Sequence, residues 1–403
     1  MNFDKKNKIY KILMVIIVTA LITFLLASII FYNYYIKTDK GNIEALSKYI
    51  SVSDSTTALE KKLEIIKRYL ENEYIGELKQ DKMIEGALKG YVEGIGDKYT
   101  EYLTAEELED LMINVNGNYV GIGIYMTKDD DGNILVLLPI EGSPAEEAGL
   151  QTGDIISKVN GIECKGLELA DVSNMVKGEE KTTVNLEILR ENETFTVDVE
   201  RRTVELKYMK SELLDNNIGY IQMLSFEEGA AQKLKEEIKN LKNKNINSLI
   251  IDLRDNGGGL VTEAVEISEI FVSKGKTILK SYDKNEKETI TKSRASSNEN
   301  IKLVVLVNEE SASATEIFAG AIQDNNVATI LGTKTFGKGV MQEVQPLSIG
   351  GALKITIEEF KTPNGNKIHE VGITPDIVVE NTKNDKEDKT DMQLQAAIDF
   401  LSK

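Results

Sequence analysis

A chain of 403 residues, 41% of them hydrophobic, can bury at least two cores, because single domains usually run to about 100–200 residues. Its formal net charge of −18, with no Lys/Arg-dense patch after the N-terminal apolar run, argues against nucleic-acid binding, which needs a basic footprint to displace phosphate counterions. One cysteine, Cys164, excludes an intramolecular disulfide, and one histidine, His369, excludes a histidine metal cluster.

Lys5, Lys6, Lys8 and Lys11 precede an apolar run from Ile12 to Phe31. At about 1.5 Å per residue such a run covers a hydrocarbon core of ~30 Å. Residues 1–11 are therefore expected to be cytoplasmic and 12–32 to form a transmembrane signal anchor, with Tyr32, Tyr34 and Tyr35 at the opposite interface. That reading makes the chain a single-pass protein of the cell membrane with everything after the anchor extracytoplasmic. A cleaved signal peptide is the competing reading; it calls for a shorter apolar region and a small-residue cleavage site, and none follows Phe31 cleanly. Residues 33–56 read as a polar tether.

Over 57–112 the pattern turns helical. Leu59, Leu63, Ile66 and Leu70 recur at three and four residues, and Thr104 with Glu107 three positions on is an N-cap signature. Residues 113–202 change to short alternating strands around two short helices. One helix is predicted at SPAEEAG, with Ser143 as N-cap and Pro144 at the first helical position; the other at LADVSNMVKG, with Leu169, Val172 and Val176 on one face. That order resembles a PDZ domain. The marks are SPAEEAGLQTGDIISKVNGIE and YVGIGI at Tyr119, Val120, Gly121, Ile122, Gly123 and Ile124, which is similar to a carboxylate-binding loop.

From 203 to 382, strand-like runs GYIQMLSF, NSLIIDLR, IKLVVLVN and VATILG alternate with amphipathic helical stretches, which argues an α/β core with parallel strands. The charged segment 280–300 reads as a loop or an exposed hairpin, and 383–403 ends in a closing helix, DMQLQAAIDFL.

A Ser-His-Asp triad would need His369, whose loop setting, NKIHEVGITPD, favours a solvated or hydrogen-bonded residue. Lysine is the usual substitute base, because a desolvated amine, or one close to another cation, gives up its proton more easily. Two segments suit such a pair. VVLVNEESASATEIFAGAIQD places Ser313 where a strand turns into a helix, beside free amides and the positive end of the helix dipole. In LGTKTFGKGVMQEV, Gly337 and Gly339 bracket Lys338. A third run, IIDLRDNGGGLVTEA, sets Gly257, Gly258 and Gly259 ahead of a helix; GxxxxGK[ST] is absent, so an oxyanion loop fits better than a phosphate loop.

Together DLRDNGGG, SASATE, TFGKGVMQ, FKTPNGNKIHEVGITPD and GALKGYVEGIGDKYTEYL, in this order around the PDZ pattern, resemble the carboxyl-terminal processing peptidases, the PDZ-containing serine proteases of family S41. The resemblance implies an α/β protease core with a mixed sheet of the crotonase and ClpP type, the PDZ domain placed before it and an N-terminal helical unit, beside the one transmembrane helix read from the apolar run. It implies Ser313 as nucleophile, Lys338 as general base and Gln342 as the residue that orients the lysine. The amides of Ala314 and of Gly258 or Gly259 become the oxyanion donors, and Arg190 a candidate sensor of PDZ occupancy, beside a plain solvated arginine. Ser311 and Thr315 lie close enough to Ser313 to compete with it, with capping and packing as their other roles. Implied too are protein substrates bound by their C-termini, membrane attachment, homo-oligomer formation, and neither metal nor cofactor. A non-catalytic PDZ scaffold and acyl transfer on a thioester are the alternatives. Where relatives often carry an Asp-Pro pair, this chain has Gly96, Asp97 and Lys98.

Overall fold

The computed structural model describes residues 53–295, 299–381 and 391–403. By their internal contacts they divide into a unit ending at Ile84 and a larger one from Glu85 to Lys403. The first holds helix α1 (Ser53–Glu73) and the start of α2 (Gln80–Glu93). The 21-residue α1 is amphipathic, and its Lys61, Lys62, Glu64, Lys67, Arg68 and Glu71 are too many charges for a lipid setting. Among the described residues no helix is long and apolar enough to cross a membrane. The transmembrane segment expected at 12–32 lies outside the described residues. The spanning helix and the single-pass placement are corrected accordingly: neither forms part of the architecture of the described residues.

In the larger unit β1 (Glu101–Leu103) precedes α3 (Ala105–Asn116). Thr104 caps α3 with the expected box: its hydroxyl accepts from Glu107 N, and Glu107 accepts from Thr104 N. Gly117, in the left-handed region at φ 69°, ends the helix and turns the chain into β2.

The PDZ domain follows as β2 (Asn118–Gly121), β3 (Ile124–Lys128), β4 (Ile134–Pro139), α4 (Pro144–Glu147), β5 (Ile155–Val159), β6 (Ile162–Glu163), α5 (Leu169–Val176), β7 (Thr183–Arg190), β8 (Glu193–Glu200) and β9 (Arg202–Glu205). An antiparallel sheet of order β3-β4-β5-β7-β8, with β6 on β5, closes on α5. Alternation decides the faces: Val184, Leu186 and Ile188 of β7 are buried in a core with Val172, Val176 and Cys164, while their neighbours point outward. β2 and β9 pair as a two-stranded ribbon at the domain's entry and exit.

The α/β core contains β10 (Met209–Leu214), β11 (Ile218–Met223), α6 (Ala230–Asn243), β12 (Ser248–Asp252), α7 (Val261–Phe271), β13 (Thr277–Asp283), β14 (Glu288–Lys292), β15 (Lys302–Val307), α8 (Ala314–Asp324), β16 (Thr329–Gly332), β17 (Val340–Pro346), β18 (Ala352–Lys361), β19 (Ile377–Val378) and α9 (Met392–Leu401). Its central sheet runs β10-β11-β12-β15-β16-β19, parallel except for the β10/β11 pair. β12 and β15 are buried on both faces, as their unbroken apolar runs require. α6, α7 and α8 cover one face; α9 covers the other through Ala397 and Leu401. A second, antiparallel sheet of order β1-β18-β13-β14, with β17 on β18, brings the 99–103 segment beside the loop that carries Lys338. Segment 280–300 resolves in part as the β13/β14 hairpin.

Candidate active site

Ser313 stands where β15 turns into α8, with φ 60° and ψ −116°. A non-glycine residue held there costs about 1–3 kcal/mol unless its neighbours over-determine it, and here they do. Ser311 Oγ donates to Leu253 O at 2.7 Å and accepts from Asn308 N; Ala312 N donates to Asn256 O; Thr315 Oγ1 bonds to Asn256 O and Oδ1. Ser311 and Thr315 are fully buried in these bonds, whereas Ser313 is half-buried. The competing serine and threonine are thus the staples, and Ser313 is what they present.

The glycine run leaves β12 and folds directly onto that turn. A Cβ on Gly258, whose φ is 106°, would lie 2.8 Å from Ser313 Cβ and 3.0 Å from Ala314 N, so only glycine permits the approach. Gly258 N donates to the buried Asn256 Oδ1 at 2.9 Å. That amide is committed, while among the described residues no acceptor is paired with the amides of Gly259 and Ala314. Gly259 is anchored in turn to Phe226 by an isolated parallel bridge.

A residue the motif reading passed over ties the lysine loop to the serine turn. Glu316, fully buried in the first turn of α8, accepts from Ser313 N (2.9 Å) and Lys338 N (2.8 Å) on Oε2, and from Gly337 N (2.8 Å) and Thr335 Oγ1 (2.6 Å) on Oε1. Burial pushes its carboxyl up, and these donors pull it back toward the charged form. The S-x-x-E spacing inside SASATE is the signal that could have found it.

Lys338 is half-buried, with Nζ 5.0 Å from the centre of the Tyr99 ring. Burial holds the amine below its ordinary range, helped by the nearby Lys354 cation; Glu101, Asp97 and Glu316 act the other way. Gln342 sits at a bulge of β17 and donates to Thr356 Oγ1 at 3.4 Å, rather than to the lysine. Thr356 N donates to Thr100 Oγ1, which donates to Asp97 Oδ2 at 2.6 Å, so the segment lacking the Asp-Pro pair is still pinned by Asp97. His369 is half-buried, edge-on to Tyr99 at 6.2 Å, and among the described residues its Nδ1 has no hydrogen-bond partner, so no carboxylate orients it as a triad histidine. Also unforeseen is a partly buried ion cluster at the end of β12. Asp252 and Asp391 flank Arg254, at 2.5 and 2.7 Å, and fasten α9 to the end of β12.

In the PDZ domain the YVGIGI segment breaks between β2 and β3, with Gly123 at φ 81°. Tyr119, Gly121, Ile122 and Ile124 line a cavity of about 210 Å³ together with Val176, whereas Val172 is core and Val120 lies off the cavity. Arg190 is held inside the domain: it donates two parallel hydrogen bonds to the buried Asp154 (2.6 and 2.8 Å), donates to Gly149 O and lies over the Phe195 ring. Its partners are those of a structural arginine.

The model of peptidase family S41 matches residues 217–379, and a PDZ domain model matches 135–190. A "Probable CtpA-like serine protease" of Staphylococcus aureus is 36% identical over 374 residues, 91% of this chain and 71% of that protein. A protein of the same description from Staphylococcus haemolyticus is 38% identical over 318 residues, 78% of this chain and 64% of that one. The solved photosystem II D1 C-terminal processing protease is 27% identical, covering 79% of this chain and 86% of its own, with a TM-score of 0.46. With the family models over its core and PDZ domain and a relative of this identity along nearly its whole length, the chain belongs to peptidase family S41 and is a CtpA-like serine protease.

Proposed function

We propose that Ser313 is the nucleophile and Lys338 the general base of an endopeptidase that takes protein substrates by their C-termini. One observation carries the assignment: a single buried carboxylate, Glu316, accepts from the backbone amides of both residues. Neutral Lys338 takes the Ser313 Oγ proton as Oγ attacks the peptide carbonyl carbon. The oxygen that becomes negative is held by the amides of Ala314 and Gly259, at the positive end of α8. Collapse of the adduct breaks the C–N bond, and the lysine ammonium returns its proton to the leaving amine. Water, deprotonated by Lys338, then hydrolyses the acyl-serine.

Partial burial supports the base role, because an exposed ammonium would keep its proton at neutral pH. Gln342 serves as the orienting partner once it leaves Thr356. The Gly121–Ile124 loop and the cavity beside it suit an extended peptide with an apolar last residue, added along β3.

A fluorophosphonate probe followed by peptide mapping tests the nucleophile: label on Ser313, lost in Ser313→Ala, is expected, and label on another serine would overturn it. Cleavage of one unfolded substrate with a free apolar C-terminus, amidated, or ending in Asp-Asp tests the recognition. Equal rates for all three would show that the loop does not read the terminus.

A further inference from the structure

The cavity beside the PDZ loop has a wall from outside the PDZ domain. Gly121 and Ile122 of the loop and Val176 and Lys177 at the end of α5 share it with Asp110 and Ile113 of α3. Lys177 is the C-cap of α5, where the helix's negative end favours a cation. Its base is fixed, because the buried Arg201 guanidinium donates to Met175 O and Val176 O just before it. Only 17% of the side chain is exposed, and Nζ lies 3.3 Å from Glu109 Oε1 and 3.3 Å from Asp110 Oδ1. Those two carboxylates are 56% and 61% exposed and keep most of their hydration, so the lysine is the desolvated partner.

The loop amides face a group of the chain as well. The Tyr119 phenol is close to the Gly123 and Ile124 amides, and burial pushes it up to about 12. The ring lies so close that a Cβ on Gly121 would meet it at 2.7 Å. Amides and cation, the two kinds of group that hold a carboxylate, thus lie along one cavity, each facing a group of the chain itself.

We propose that Lys177 is a binding residue for the substrate's terminal carboxylate, and that Glu109 and Asp110 of α3 stand in for that carboxylate in the empty chain. The proposal rests on the reading of the groove as a C-terminus site. An arriving carboxylate exchanges with the acidic pair, so the cation is never left unpaired, and α3 is freed from Lys177 only by a chain end. α3 is continuous with β1, which pairs with β18, the strand carrying the Thr356 partner of Gln342. Release at the groove therefore has a covalent and hydrogen-bonded route to Gln342.

Fluorescence anisotropy on the full chain, with a labelled peptide ending in Leu-Ala-Val in free and amidated forms, tests this. The wild type is expected to prefer the free form about tenfold; Lys177→Gln reduces the preference to about twofold and Lys177→Arg retains most of it. Glu109→Gln with Asp110→Asn, on exposed positions clear of the core, tightens the free peptide about three- to fivefold and leaves the amidated one unchanged. Full preference in Lys177→Gln, or unchanged affinity in the acidic double variant, overturns the role of Lys177 and α3 while sparing the groove. No preference in the wild type overturns the groove reading and this inference with it.

Discussion

Glu316 Oε2 accepts the amide of Lys338 at 2.8 Å and, on the same oxygen, the amide of Ser313 at 2.9 Å. Two loops far apart in sequence are registered by one carboxylate, so the relative position of nucleophile and base depends on a residue that touches neither reacting atom. Glu316→Gln keeps the shape but turns one oxygen into an NH2 group facing two donors. Loss of about 3 kcal/mol in denaturant unfolding is expected, with kcat falling about 100-fold and KM little changed. Wild-type kcat in a folded Glu316→Gln protein would remove its positioning role.

Ser313→Ala and Lys338→Ala are expected to abolish peptide cleavage with melting within a few degrees of wild type, since neither side chain is part of the core. Lys338→Arg is expected to be inactive too, because guanidinium stays protonated throughout the working range. His369→Ala should retain most activity; its loss without unfolding would bring back a histidine mechanism.

The pH dependence follows from the environment of Lys338. Its amine is held below the ordinary lysine range by burial first and then by Lys354. Activity should therefore rise with pH along a limb set by this depressed value, and level off before an exposed lysine would titrate. Because the unfolded chain binds the extra proton between the two values, stability also rises with pH across that window and is weakest below it. Lys354→Gln removes the neighbouring cation and leaves Glu101 without its 2.8 Å partner. Both changes raise the lysine, so the limb should move to higher pH in a kcat/KM profile. An unmoved limb would mean that another group titrates.

The glycine run offers a paired test. Gly257→Ala meets nothing within 4 Å at a conformation open to alanine, whereas Gly258→Ala drives a methyl into Ser313 at φ 106°. The first is expected to keep activity; the second should lose it along with about 1–3 kcal/mol of stability. Equal behaviour of the two would dissociate the loop from the serine turn.

The ion cluster at the end of β12 should act on stability alone at first. Arg254→Met leaves Asp252 buried without its cation, a change that costs about 3–5 kcal/mol, and loosens α9 through Asp391. Proteolysis of the C-terminal helix measures that release, and intact resistance would contradict it.

Much of this protein is legible in one dimension, because motif chemistry and periodicity are local. SASATE, TFGKGVMQ and DNGGG mark the three loops, unbroken apolar runs mark the doubly covered strands, and Thr104 with Glu107 marks a helix start. What no local pattern contains is which loop touches which. That Gly258 is fitted to Ser313, that one buried carboxylate binds the serine and lysine backbones, that Tyr99 lies over Lys338, and that α3 closes the PDZ groove with Asp110 against Lys177 all depend on long-range packing. The partners of Arg190 were hidden for the same reason: a charge at a strand end reads as solvated until Asp154, from a distant turn, is folded against it. Residue type and spacing determined the chemistry available to this chain; the tertiary fold, by setting burial and contact, decided which groups face one another and in which charge state.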